Sequence, residues 1–344
     1  MFDLDTDDHP SDDPGVFAAP KRQTSWSAAE LAAAVFPEPK WAVPGMICEG
    51  VNLLCGPPKV GKSWAGFGLA LAIARGDDAF GSIPVEQGEV LYLALEDTAR
   101  RLQARMRTIL AGSAAPEDLT IVTECPRLDH GGADAIDAWL TNHPRARLVV
   151  VDVFAKIRPA AIGPGTSAYD ADYAAIGAIK RLADKHAVAF VVVHHVRKAG
   201  SDDFLSEVSG TNGIAGAADA TLVLKRGRGK ADGLLHITGR DVEEVEHGFA
   251  FDPTRGAWTL LDGDPRRLTQ TDNHTTVHDW LSENPNSGPT AIATGTGMKP
   301  ESVKTALKRG ADDGWFTQVR RGQWIAVDHG TEAQPIWDAV DATP

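Results

Sequence analysis

Short apolar runs alternate with stretches of helical periodicity along most of the chain. Apolar positions three and four residues apart predict helices over 64–75, 133–140 and 170–185, and another in the arginine-rich stretch after residue 97. The continuous apolar runs predict buried strands over 51–55, 90–95, 148–151, 188–193, 222–224 and 234–238, with a weaker candidate over 119–122. Strands that alternate with helices in this way predict an α/β fold with a mostly parallel, doubly wound sheet.

The pattern changes character after residue 262. A polar connection over 263–274 leads into three predicted helices and two short strands, all within 275–328. The first 26 residues are acidic and interrupted by proline, which predicts a disordered tail over 1–26, and a flexible end is predicted over 329–344. We therefore expect an α/β domain over 27–262, a linker, and a small second domain.

Length and composition set the protein class. A chain of 344 residues with 43% hydrophobic residues can fill the cores of about two domains. No run of about 18 apolar residues occurs and the amino-terminal segment lacks a signal peptide's basic start, so we expect a cytoplasmic protein without a membrane partner. The three cysteines have no metal-ligand spacing and are expected to be reduced structural thiols. A net charge of −13 argues against a surface coated for nonspecific nucleic-acid binding, but not against binding by one face or channel.

A phosphate-binding loop pattern lies between the first predicted core strand and the helix after it. The glycines let the backbone wrap phosphate oxygens with its N–H groups, Lys62 can reach the β and γ phosphates, and the Ser63 hydroxyl can bind Mg²⁺. A chance match is the alternative, which the flanking strand and helix disfavour. The predicted cofactors are therefore ATP and Mg²⁺. The cofactor-binding residues are Gly56, Pro57, Pro58, Lys59, Val60, Gly61, Lys62, Ser63 and Trp64.

Acidic residues follow two other predicted strands, at the sheet edge where ligands bind in such folds. Asp152 comes after four apolar residues and can reach a Mg²⁺ held by Ser63, directly or through water, although a helix cap is the alternative. Glu96 is the candidate base that orients the attacking water, with Asp97 as its rival. We expect one of these two to cap the helix that follows.

A histidine and an arginine complete the candidate catalytic set. His195 ends a predicted strand at the same edge and is the candidate sensor of the γ-phosphate, while His194 points to the opposite face as a candidate core residue. Arg240 ends a late strand and could reach into the site of a neighbouring subunit as an arginine finger. The alternative for Arg240 is a surface ion pair with the acids at positions 241–246.

These elements, in this order, resemble the RecA-type ATPase core over residues 41–253, and within it the branch of the RepA and DnaB hexameric helicases. The resemblance implies a triphosphate loop over 56–63, a catalytic Glu96, a metal-linked Asp152, a phosphate-sensing histidine and an Arg240 that acts in trans. It also implies a homohexameric ring with single-stranded DNA in its channel. The channel loops would be 158–172 and 197–216, with Arg197 and Lys198 as DNA-binding cations.

The predicted elements after residue 274 resemble a winged helix domain, which places its third helix in the DNA major groove. Between Lys299 and Arg321 the chain has six cations against three acids. Duplex DNA or a replication protein is therefore the expected partner, and docking to a protein alone is the alternative. The DNA-binding candidates are Lys304, Lys308, Arg309, Arg320 and Arg321.

Three functions are consistent with these features. The leading one is an ATP-hydrolysing helicase or translocase in the replication of a plasmid, phage or integrated element, a setting that rests on the resemblance. The second is a DNA-bound ATPase switch that does not unwind DNA. The third, a small-molecule P-loop kinase, is disfavoured because the chain carries a DNA-binding type of module and no evident acceptor site.

Overall fold

The computed structural model describes residues 25–159, 168–195, 212–227, 231–268 and 272–327. The predicted flexible end 329–344 and nearly all of the predicted disordered tail lie outside these ranges. Arg197 and Lys198 lie outside them as well, and so does the side chain of His195. None of the helices in the described ranges has the length and apolar character needed to cross a bilayer.

The chain divides after Glu38 into two units. In the first, helix α1 (Ala28–Ala33) begins after Ser27, whose hydroxyl accepts a hydrogen bond from the Glu30 N–H at 3.2 Å. The Glu30 carboxylate accepts one in return from the Ser27 N–H at 2.7 Å. This reciprocal pair satisfies two donors that a helix start leaves unpaired. The unit includes the beginning of the range predicted as the α/β domain, whose boundaries stay a prediction.

The second unit contains a nine-stranded sheet that follows a short strand pair, β1 (Trp41–Val43) and β2 (Ile47–Cys48). The nine strands are β3 (Gly50–Gly56), β4 (Glu89–Ala94), β5 (Leu119–Val122), β6 (Ala146–Asp152), β7 (Ala189–His195), β8 (Ala220–Arg226), β9 (Gly233–Gly239), β10 (Val245–Asp252) and β11 (Ala257–Leu260). Across the sheet their order is β11-β10-β9-β8-β3-β7-β6-β4-β5. Strands β3 to β8 are parallel, which confirms the predicted α/β fold with a mostly parallel sheet.

Helices cover both faces of the parallel strands, and each face has its own apolar core. On β3, Leu54 belongs to the core beneath α2 and Leu53 to the core beneath α6, because successive side chains of a strand point to opposite faces. Burial on both faces explains the continuous apolar runs of these strands. The helices after α1 are α2 (Lys62–Arg75), α3 (Ala99–Leu110), α4 (Gly132–Asn142), α5 (Phe154–Ile157), α6 (Ala168–His186), α7 (Asn212–Ala217) and α8 (Pro265–Leu268).

Three antiparallel strands extend the sheet beyond β8. Strand β9 pairs Gly239 with Ala220 and Gly233 with Arg226, so β9 ends at the sheet edge where β8 begins. Strands β10 and β11 continue this antiparallel edge. The apolar pattern did not predict them, because β10 has only two fully buried positions and β11 only one. They form the β10–β11 hairpin used below.

Half-buried His247 on β10 predicts a loss of stability in acid. Burial lowers the pKa of His247 to about 4, and its Nε2 atom has no hydrogen-bond partner among the described residues. In the unfolded chain the His247 ring takes up a proton near pH 6.5, but in the folded protein it does so only near pH 4. The contribution of the neutral ring to the free energy of unfolding is therefore complete above pH 6.5 and is lost as the pH falls towards 4. Urea titrations at pH 7 and pH 4 give the unfolding free energy of each protein. Its decrease between the two pH values should be roughly 2 kcal/mol smaller in His247→Leu than in the wild type. Equal losses in the two proteins would contradict this assignment.

The region after residue 271 contains the predicted three helices and two strands. They are α9 (Asp272–Glu283), α10 (Pro289–Thr296), α11 (Pro300–Asp312), β12 (Phe316–Arg320) and β13 (Gln323–Ala326). The two strands form an antiparallel hairpin, and the helices enclose a separate core that includes Val277, Ile292, Leu307 and Phe316. The assignment of this region to the winged helix class stays a prediction.

Candidate functional site

The phosphate-binding loop connects the carboxyl end of β3 to the first residue of α2. Gly61 precedes the helix with φ +110°, a backbone conformation that L residues rarely adopt. A Cβ on Gly56 would come within 2.4 Å of the Leu224 carbonyl oxygen, so the loop also needs glycine where it passes β8. The N–H groups at the start of α2 lack partners within the helix and are suited to bind phosphate oxygens.

Lys62 lies inside this loop. Its ammonium donates hydrogen bonds to the carbonyl oxygens of Gly56 at 2.7 Å and Pro57 at 3.0 Å, and the residue is only 4% exposed. Burial lowers the Lys62 pKa to about 8, an effect that the nearby Asp152 carboxylate partly opposes. A phosphate bound in the loop would favour the charged lysine and raise that pKa. The Lys62 ammonium therefore lies inside the loop, where the phosphates of a bound triphosphate would need a positive charge.

Asp152 ends β6 on the same edge of the sheet as the phosphate-binding loop. The Tyr92 hydroxyl donates a hydrogen bond of 2.8 Å to its carboxylate, which is nearly buried. Burial, together with the neighbouring Asp152 charge, raises the pKa of Tyr92, so the phenol stays protonated and keeps donating. The peptide bond between Asp152 and Val153 is cis.

The donor set fits a magnesium nucleotide. Mg²⁺ is bound in such sites by one or two protein oxygens together with phosphate oxygens and water. Ser63 in the first turn of α2 and Asp152 at the end of β6 each carry a side-chain oxygen at this edge. No cluster of three or more His, Cys, Asp or Glu side chains suited to a metal was found in the described ranges. A metal site made by protein ligands alone is therefore not evident there.

The strand order brings the predicted residues to one edge. Strand β7 lies between β3 and β6, and its last residue, His195, is in register with Gly56. On the other side of β6, Ala94 pairs with Asp152, which places Glu96 just beyond the neighbouring strand end. His194 lies near the ring of Phe154, with ring centroids 6.2 Å apart.

Glu96 and Asp97 differ in their contacts. One Asp97 oxygen accepts hydrogen bonds from Arg101 Nε at 2.5 Å and from the Thr98 N–H, and the other is 3.0 Å from Arg105. Burial works to raise the pKa of Asp97, but these donors lower it below its usual value. The exposed Glu96 carboxylate has no partner among the described residues. The N-cap residue of α3 is Thr98, so the expectation that Glu96 or Asp97 caps this helix is wrong. Asp97 instead binds Arg101 and Arg105 of that helix.

Arg240 lies at the opposite end of the sheet from the loop of its own chain. Its N–H donates to the Asp219 carbonyl oxygen, and its guanidinium is 3.6 Å from the Asp219 carboxylate, not paired with the acids at 241–246 as the alternative expected. Asp219 is hydrogen-bonded to Val51, which is five residues before Gly56 on β3. That separation is roughly 16 Å along the strand, beyond the reach of an arginine side chain.

Trp64 lies beside the loop with three residues absent from the predictions, Arg105, Phe251 and Trp258. The Arg105 guanidinium lies 4.9 Å from the centroid of the Trp64 ring, and Phe251 contacts the same ring. Trp64 can therefore offer its backbone N–H to a phosphate while its side chain packs elsewhere. Trp258 of β11 donates a hydrogen bond to the Gly61 carbonyl oxygen. No local pattern identifies Arg105 or Trp258, because each acts through a contact that only the fold creates.

The predicted DNA-binding cations of the carboxyl-terminal region are exposed. Lys304 pairs with Glu301 on the surface of α11, at 3.0 Å. Lys308 and Arg309 lie on α11. Arg320 is the last residue of β12, and Arg321 follows it in the turn before β13.

Comparisons with known proteins agree with this fold. No curated protein matches the chain. A solved structure, described as a DnaB-like replicative helicase and its interactions with primase, aligns with a TM-score of 0.50 and 14% identity. The alignment covers 62% of this chain and 58% of that one, so the chain spans little more than half the length of the helicase. The AAA domain family matches residues 18–201, more than half of the sequence. The chain therefore belongs to the AAA domain family and has a RecA-like fold similar to that of the DnaB-like helicase.

Proposed function

We propose that this protein is an ATP-hydrolysing DNA helicase or translocase of the RepA and DnaB kind. The observation that carries the proposal is the glycine loop with Lys62 inside it and Asp152 nearby, at one edge of a RecA-like sheet. One solved structure that shares this fold is that of a DnaB-like replicative helicase. Replication of a plasmid, phage or integrated element is the proposed setting.

The loop binds the triphosphate in this proposal. Its backbone N–H groups and Lys62 hold the β and γ phosphates. Ser63 with Asp152 would hold Mg²⁺, which would supply positive charge opposite the charge that develops on the phosphates. Glu96 orients a water molecule and accepts its proton as the water attacks the γ phosphorus. The bond from that phosphorus to the β–γ bridging oxygen breaks, and ADP and phosphate leave. His195, level with Gly56, senses the γ-phosphate.

Arg240 serves the site of the next subunit. Its distance from the loop of its own chain supports action in trans, since an exposed arginine at the far sheet end can meet a neighbour's nucleotide in a head-to-tail ring. We propose a homohexamer with single-stranded DNA in its channel. Arg197 and Lys198 remain proposed contacts to that strand. The carboxyl-terminal region, a proposed winged helix, would recruit duplex DNA or a replication protein through its exposed cations.

The proposal is tested first on ATP hydrolysis. Lys62→Ala should lower DNA-stimulated kcat roughly 100-fold or more, because it removes the cation that meets the β and γ phosphates. Phosphate release, with and without an oligonucleotide, is the measurement. Lys185→Ala is the matched control, because Lys185 makes an exposed ion pair with Asp137 that contributes little to stability. Full hydrolysis by Lys62→Ala would refute the assignment of the loop.

Strand displacement on a forked substrate then tests the motor function. The wild type should separate the strands only with ATP, and Lys62→Ala should not separate them. Hydrolysis that DNA stimulates without strand displacement would instead identify an ATPase switch. Hydrolysis that DNA leaves unchanged would contradict both.

A further inference from the structure

The indole of Trp258 is packed directly on the phosphate-binding loop. Its Nε1 donates a hydrogen bond to the Gly61 carbonyl oxygen at 3.2 Å, across 197 residues of sequence. A Cβ on Gly61 would come within 2.7 Å of the Trp258 ring, so the ring lies against the Gly61 Cα. A residue of the outermost strand therefore touches the loop that precedes Lys62.

The hairpin holds this indole in one place. Trp258 is 8% exposed, and its ring centroid lies 4.9 Å from that of Phe251 and 6.4 Å from that of Phe249. On β9, a Cβ at Gly233 would come within 2.7 Å of the ring, so the absence of a side chain there makes room for it. Contacts on several sides fix the indole, and its N–H therefore reaches Gly61 without further ordering.

Holding the Gly61 carbonyl also orients the next N–H group. In a trans peptide the C=O and the following N–H point in opposite directions. The Gly61 oxygen accepts from Trp258 and from the Ala65 N–H at 3.0 Å, so the Lys62 N–H points away from both. Lys62 is the first residue of α2, and its N–H lies at the helix start, where loops of this kind direct N–H groups toward phosphate.

We propose that Trp258 is a positioning residue for nucleotide binding. It fixes the peptide between Gly61 and Lys62 so that the Lys62 N–H faces a bound phosphate before the nucleotide arrives. This sets the affinity for nucleotide and leaves the cleavage step unchanged, because the same contact exists before and after the transition state. The inference rests on the proposed function only in requiring that the loop binds ATP.

The test is Trp258→Phe in the full chain, because phenylalanine keeps an aromatic ring and removes the N–H. The Kd for a non-hydrolysable ATP analogue, measured by calorimetry, should rise roughly three- to tenfold, because the peptide that the lost hydrogen bond ordered must then become ordered on binding. The KM for ATP should rise by a similar factor while kcat at saturating ATP stays unchanged. Trp258→Tyr, which also lacks the indole N–H, should behave alike and is the second variant if Trp258→Phe does not fold.

Phe251→Leu is the control for general loosening of the hairpin. It removes an aromatic neighbour of Trp258 but no hydrogen bond to the loop. We expect it to lower Tm and to raise the Kd for the analogue less than Trp258→Phe does, because the indole N–H and the packing on Phe249 remain. An unchanged Kd in Trp258→Phe, a fall in kcat with unchanged KM, or an equal rise in Kd in Phe251→Leu would overturn the inference. Absence of analogue binding by the wild type would instead refute the proposed function.

Discussion

Replacing Arg240 by alanine is expected to lower kcat for ATP hydrolysis roughly 1,000-fold while the Kd for an ATP analogue stays unchanged. The physical reason is that the guanidinium stabilises charge on the transferring phosphoryl group and makes no contact with the nucleotide held by its own chain. Phosphate release at saturating ATP gives kcat, and calorimetry gives the Kd. Arg145→Ala, which removes another exposed arginine with a surface ion pair to Asp118, should have wild-type kcat.

A mixing experiment decides whether Arg240 acts between subunits. Chains with Lys62→Ala retain Arg240, and chains with Arg240→Ala retain an intact loop. In rings formed at random from equal amounts of the two, about a quarter of the sites combine an intact loop with a neighbour's arginine. The mixture should therefore recover roughly a quarter of wild-type activity, although neither variant is active alone. A mixture that forms rings and stays inactive would exclude action in trans.

The second large effect is expected for Glu96→Gln, which should lower kcat roughly 1,000-fold. Glutamine can still accept a hydrogen bond from water but cannot take its proton. Binding of the analogue should persist, because the exposed Glu96 side chain holds no element in place. Single-turnover hydrolysis would assign the loss to the chemical step.

Asp97→Asn is the matched comparison for Glu96→Gln. Asp97 accepts hydrogen bonds from Arg101 and Thr98 and pairs with Arg105. The loss of its carboxylate should therefore lower Tm, while kcat should change little. The reverse pattern, with Asp97→Asn inactive at wild-type Tm and Glu96→Gln active, would make Asp97 the base.

The parallel part of the sheet could be predicted because its burial leaves a simple pattern. Strands β3 and β6 are covered on both faces, so most of their positions are buried. Buried positions favour apolar residues, and the apolar run is therefore continuous. Strand β10 lies at the antiparallel edge, where partly exposed positions admit His247 and Glu246 among the apolar residues. No periodicity then distinguishes it from a loop.

The candidate site, like the sheet, has a part that the sequence predicts and a part that it does not. The loop, Asp152 and Glu96 follow strands, and the carboxyl ends of parallel strands meet at one edge, so their proximity could be predicted. The direction of β9 could not, because a strand's own residues do not determine whether it runs parallel or antiparallel to its neighbour. Trp258 was missed for a related reason, since its partner Gly61 is distant in sequence and only the completed sheet brings them together.

The antiparallel edge has a practical consequence for preparing shorter versions of the protein. A fragment cut at the end of the family match, residue 201, would retain the whole glycine-rich motif. It would also lose β8, which packs beside β3, and the indole that braces Gly61. Such a fragment would expose the apolar flank of β3 to water and should aggregate. The smallest piece worth expressing for nucleotide studies therefore extends past Leu260, through the last strand of the sheet.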